Sequence, residues 1–153
     1  MAKRIKWDDK ASAAANARAH LPALLLGYYE EGRALTSGAL SADRLHQFRL
    51  ATKHVRYTVE LFRACYGPGL DRWLAGVREI QDYLGAISDC ASTRELVMKK
   101  LPQESAERTR IERVLTARAQ REATAFRRYW RTTFDAPGES RRWVAYYGRR
   151  RYS

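Results

Sequence analysis

Cysteine is nearly absent: in 153 residues only Cys65 and Cys90 carry thiols. The chain is long enough to bury a core without covalent staples, and the two lack metal-site spacing. Both are expected to be reduced packing residues of a cytoplasmic protein. Long hydrophobic runs are missing too. The longest, residues 21–26, falls far short of the ~20 residues a membrane-spanning helix needs. The start, MAKRIKWDDK, leads into alanines with no signal-peptide core, so a soluble protein with no membrane partner is expected. No stretch alternates polar and apolar residues between hairpin turns, which argues against strands. Also missing are an acid cluster, a phosphate-loop glycine pattern and a Ser or Cys nucleophile beside a base. No catalytic residue, metal ligand or cofactor is therefore assigned, and the chain is not expected to be an enzyme. Acids are the last shortage. Seventeen Asp and Glu face 29 Lys and Arg, a net charge of +12. Such an excess favours a polyanionic partner without choosing among nucleic acid, inorganic phosphate polymer and acidic surface.

What is present is helical periodicity. Residues 11–32 predict a first helix, with Pro22 as a kink or restart because it has no amide hydrogen. Thr36-Ser37-Gly38 reads as a loop. Ser41 is the N-cap of a second helix, with Arg44 rather than an acid at the capping-box position, and Gly67-Pro68-Gly69 should end it. A third helix is predicted over residues 70–100, closed by Leu101-Pro102. Gly85 within it costs about 1 kcal/mol relative to alanine, tolerable if another helix approaches closely there. A fourth runs over residues 103–134, and its Arg110, Arg121 and Arg128 read as a solvated outer face. The expected architecture is all-α, a four-helix bundle of long helices over residues 1–138. A tail, residues 139–153, interleaves five arginines with Trp143, Tyr146, Tyr147 and Tyr152. It could stack on bases or grip a polyanion, dock on the bundle, or stay disordered.

The most informative stretch is residues 45–62, LHQFRLATKHVRYTVELF. At about 100° per residue, His46, Arg49, Lys53 and Arg56 share a stripe roughly 80° wide beside an apolar face of Leu45, Phe48, Ala51, Val55, Val59 and Phe62. Like charges one turn apart repel by a few tenths of a kcal/mol per pair on an exposed helix. The only acid in phase is Glu60, so the alternation of sign that stabilises an ordinary surface helix is missing. An external anion would supply the missing charge.

This stretch, a Gly-Pro break and REIQDYLGAISD together resemble the CHAD family, the conserved histidine α-helical domain. The likeness is good over residues 39–100, and the flanking helices fit in length and amphipathic character alone. His46, Arg49, Lys53 and Arg56 stand at the family's His-x-x-Arg-x-x-x-Lys/Arg-x-x-Arg signature, followed by Tyr57, with Leu84, Gly85 and Asp89 forming the downstream Leu-Gly-x-x-x-Asp segment. The resemblance implies a basic cavity that binds inorganic polyphosphate, with targeting to polyphosphate granules. A typical member carries the pattern twice, whereas here it occurs once, as in one half of such a domain. A homodimer pairing two half-domains is therefore expected, or else a monomer with a shallow groove.

In such a site Arg49 and Arg56 would each grip two phosphate oxygens, and Lys53 would act as a point charge. Tyr57 would donate a hydrogen bond or merely pack. Asp89 is assigned a supporting role, orienting or neutralising a cation. Bound phosphate favours imidazolium, so binding at His46 should tighten as pH falls through the ordinary histidine range near ~6.5. Two other functions compete: nucleic-acid binding through the basic surface and the arginine and aromatic tail, and a non-catalytic protein-interaction scaffold.

Overall fold

A computed structural model describes residues 4–149. The chain is all-α, as expected: α1 (Ala13–Ser37), α2 (Ala42–Leu61), α3 (Arg63–Tyr66), α4 (Leu70–Lys100), α5 (Ala106–Tyr129), a π-helical turn (Trp130–Phe134) and α6 (Glu139–Tyr147). Serine hydroxyls set three of the starts. Ser12, Ser41 and Ser105 each accept from the backbone amide three residues on, at 3.1, 3.3 and 3.3 Å, satisfying a donor the first turn leaves free. The third helix runs over the residues expected of it.

Three local expectations are corrected. α1 does not restart at Pro22, and it continues past Gly32 to Ser37, where the Thr36 and Ser37 hydroxyls bond back to the Gly32 and Arg33 carbonyls at 2.8 and 2.7 Å. The predicted loop shrinks to its glycine. The second helix does not run unbroken to the Gly-Pro-Gly: it stops at Leu61, and α3 follows as a separate turn ending at Gly67, whose φ of 75° suits glycine. Gly85 receives no close helix, since a Cβ there would meet nothing within 4 Å.

The close approach occurs at Gly32 instead, where a Cβ would overlap the Trp130 ring. Trp130 and Phe134 both turn inward from the π-helical turn, their rings 4.9 Å apart. Around them close Tyr28, Tyr29 and Phe48, with Tyr28 stacked on Phe48 at 5.0 Å. No residue from 91 to 125 is buried. The far half of α4 and most of α5 therefore form a hairpin that projects from the core.

α6 docks on α1 and α3. Trp143 and Tyr147 are buried, Tyr146 Oη donates to the Tyr66 carbonyl at 2.9 Å, and Tyr66 Oη donates to that of Tyr147 at 2.8 Å. Tyr152 lies outside the described residues. Of the two cysteines, Cys90 is buried, Cys65 half-buried, and both are free.

Burial makes the core sensitive to alkali. It holds the hydroxyls of Tyr28, Tyr29, Tyr66 and Tyr147 well above the ordinary tyrosine range. Burial and then the Glu79 carboxylate push Tyr129 up to about 12. The unfolded chain loses these protons near pH ~10 while the folded chain keeps them. Stability is thus fully present below pH ~10 and lost as pH rises through the folded values. Urea midpoints should hold steady from pH 7 to 9 and fall steeply above 10, and a flat profile to pH 11 would contradict this burial.

Candidate functional site: a cationic groove between α2 and α4

The inner face of α2 carries Leu45, Phe48, Thr52, Val55 and Val59. Thr52 sets its rotation: its hydroxyl bonds the Phe48 carbonyl and the buried Tyr28 hydroxyl, each at 2.8 Å. With the helix held so, His46, Arg49, Lys53 and Arg56 fall about 100° round from the core. His46 is exposed and the other three half-buried.

The four differ in what they touch. Arg56 is engaged, with its Nε 3.0 Å from Glu60 Oε1, its Nη1 donating to Gln81 Oε1 at 2.6 Å, and its guanidinium 5.9 Å from the centroid of the exposed Tyr57 ring. Arg78 reaches the same Glu60 carboxylate at 3.7 Å. His46, Arg49 and Lys53 make no hydrogen bond or ion pair with any described residue.

Arg56–Gln81 and Glu60–Arg78 run antiparallel, with α2 numbers falling as α4 numbers rise. Continued at the same spacing, that pairing would bring Gly85 level with Lys53, and Ser88 and Asp89 level with Arg49. Gly85 lies between Gln81 and Arg78 on the helical wheel, about 40° from one and 20° from the other, so it faces the same groove. This position is where no side chain intrudes. Asp89 is exposed and forms no ion pair with a described cation; the carboxylate that meets the stripe is Glu60. Arg78 and Gln81 were not singled out in the sequence. Their signal was present in REIQDYLGAISD, but which face of α4 meets α2 depends on packing.

The described residues form an all-helical protein that presents a stripe of half-buried cations beside the seam between α2 and α4. The family model of the CHAD domain matches residues 2–98, and the chain belongs to the CHAD family. That match takes in α1 and nearly all of α4 and leaves α5 and α6 outside it. No curated protein and no solved structure matches the chain.

Along the seam between α2 and α4 stand Arg49, Lys53, Arg56 and Arg78, and the carboxylate that Arg56 and Arg78 meet is that of Glu60, so cations dominate. Among the described residues no group of three or more His, Cys, Asp or Glu is placed to hold a metal ion. No helix among the described residues is long and apolar enough to cross a membrane.

Proposed function

We propose that this protein binds inorganic polyphosphate along the α2 stripe, without catalysing its turnover. One observation carries the reading: Arg49 and Lys53, half-buried and one turn apart on α2, form no hydrogen bond or ion pair with any described residue. A phosphate chain presents closely spaced anionic oxygens and no bases, so it matches a line of cations by charge repeat. Arg49 offers a two-pronged grip, Lys53 a point charge, and exposed His46 a ring N–H donor. Arg56, already braced by Glu60 and Gln81, presents its remaining donors. Such binding would suit a protein held at polyphosphate granules in the cytoplasm.

Nucleic-acid binding through the tail is the weaker reading. Trp143 and Tyr147 are in the core, so their rings are not free to stack on bases. Competition between long polyphosphate, single-stranded DNA and sulfate at near-physiological salt tests the choice. Polyphosphate should win at equal charge, and a win by DNA would refute the proposal. Gly85→Leu should weaken polyphosphate about tenfold by filling the open space at that position. Gly85→Ala should bind nearly as the parent and gain about 1 kcal/mol of stability from helix propensity.

Because the signature occurs once, a second copy would supply the opposite wall. Tyr57 (56 % exposed), Leu61 (81 %) and Leu50 form an apolar ridge beside the stripe that suits such a contact. Two strongly basic chains repel each other, so polyphosphate should promote pairing. Sedimentation should show dimers that accumulate with polymer and disappear in Leu61→Lys, and a monomer under both conditions would remove this arrangement.

A further inference from the structure

The opposite flank of α2 has its own cavity. A cavity of about 700 Å³ opens between α1, α2 and the arm of residues 4–8, within the range of pockets that take drug-sized ligands. The arm is pinned over it. The Asp8 amide donates to Asn16 Oδ1 at 2.8 Å, and Asn16 Nδ2 donates back to the Asp8 carbonyl at 2.9 Å. Trp7 packs between His20 and Phe62, with both centroid distances 5.3 Å.

The lining has two characters. Ala23, Leu24, Ala51 and Val55 make an apolar floor with Leu50 at its edge, whereas Arg4, Lys6, His20 and His54 stand at the polar side with one acid, Glu31. None of these four basic side chains forms a hydrogen bond or ion pair with a described residue. Residues 47, 50, 51 and 54 lie roughly 130° round α2 from the stripe, so the two sites do not share a face.

We propose that this cavity binds an amphipathic anion, an aliphatic or aromatic body bearing a carboxylate or phosphate head. The body would cover the apolar floor, from which water gains little. The head would pair with Arg4 and Lys6, whose charge Glu31 alone opposes among the residues lining the cavity. Inorganic polyphosphate has nothing to place against that floor, so the site is distinct from the stripe and does not depend on it.

Dodecanoate below its micelle concentration is the probe, with calorimetry as the primary measurement. Trp7 is 42 % exposed while Trp73, Trp130 and Trp143 are buried, so fluorescence changes on binding should vanish in Trp7→Phe. Saturable binding with one site per chain is expected, with dodecanol at least about tenfold weaker because it lacks the charge. Ala23→Asp, at an exposed position on α1, should lose at least about tenfold for dodecanoate and nothing for polyphosphate. Arg4→Gln with Lys6→Gln should bring dodecanoate close to dodecanol. Capture of phosphatidylglycerol vesicles that is lost in Ala23→Asp would support the same site with the ligand drawn from a bilayer. No saturable binding to either probe, equal affinity for dodecanol, indifference to Ala23→Asp, or displacement of dodecanoate by stoichiometric polyphosphate would each overturn the proposal.

Discussion

Arg49→Glu combined with Lys53→Glu should abolish polyphosphate binding and leave helicity unchanged. Each reversal removes a cation that no described acid neutralises and sets an anion against the ligand. A hydrogen bond to a charged group contributes about 1.5–3 kcal/mol, and about 1.4 kcal/mol is a factor of ten. Losing two should therefore weaken binding at least about a hundredfold, before the added repulsion. Stability should barely move, because neither side chain has an internal partner to lose and the carboxylate introduced in place of Lys53 would sit one turn from Arg56, an attractive spacing. Arg56→Glu is a less clean probe. It would place two carboxylates a turn apart with Glu60 and break the bond to Gln81, mixing lost binding with lost stability. Retention of polyphosphate affinity by the Arg49/Lys53 double variant, measured by calorimetry with circular dichroism as the fold control, would refute the stripe as the binding site.

The largest stability loss is expected at Trp130. Its ring is 1 % exposed and meets Tyr28, Phe48 and Phe134 at 5.7, 5.5 and 4.9 Å, tying the π-helical turn to α1 and α2. Trp130→Ala should cost about 3–5 kcal/mol, a large share of the roughly 5–15 kcal/mol that holds a typical domain together. Gly32→Ala should cost about 1–3 kcal/mol by overpacking, since its methyl group would strike that ring. The two effects should not add. Once the indole is gone the methyl has room, so Gly32→Ala in the Trp130→Ala background should cost almost nothing. Urea unfolding of the four-member cycle measures this coupling, and additive losses would mean the contact at Gly32 is relieved some other way.

Much of the architecture was legible because its signals are local. Ser41 caps the helix expected to follow it, and Leu101-Pro102 ends α4 where predicted. The end of α1 was misread because Thr36 and Ser37 resemble a loop in a string of letters, while on a helix their hydroxyls find carbonyls one turn back. The π-helical turn left no periodic trace. Trp130 and Phe134 stand four residues apart, a spacing an ordinary α-helix would bury on one face equally well, so the pattern does not announce the wider winding.

The stripe could be read from spacing alone, since 3.6 residues per turn place His46, Arg49, Lys53 and Arg56 on one side of any helix that contains them. Their grouping, the all-α class and the excess of positive charge were settled by the order of residues. Tertiary structure decided which cations were left without partners. Glu60 is in phase with the stripe in the sequence, but only the packing of α4 against α2 brings Gln81 to Arg56 and Arg78 to Glu60. Packing between distant segments likewise set Trp143, Tyr146 and Tyr147 against α1 and α3. The reason is physical: helical phase depends on neighbours along the chain, whereas neutralisation, burial and open space depend on distances between segments far apart in it.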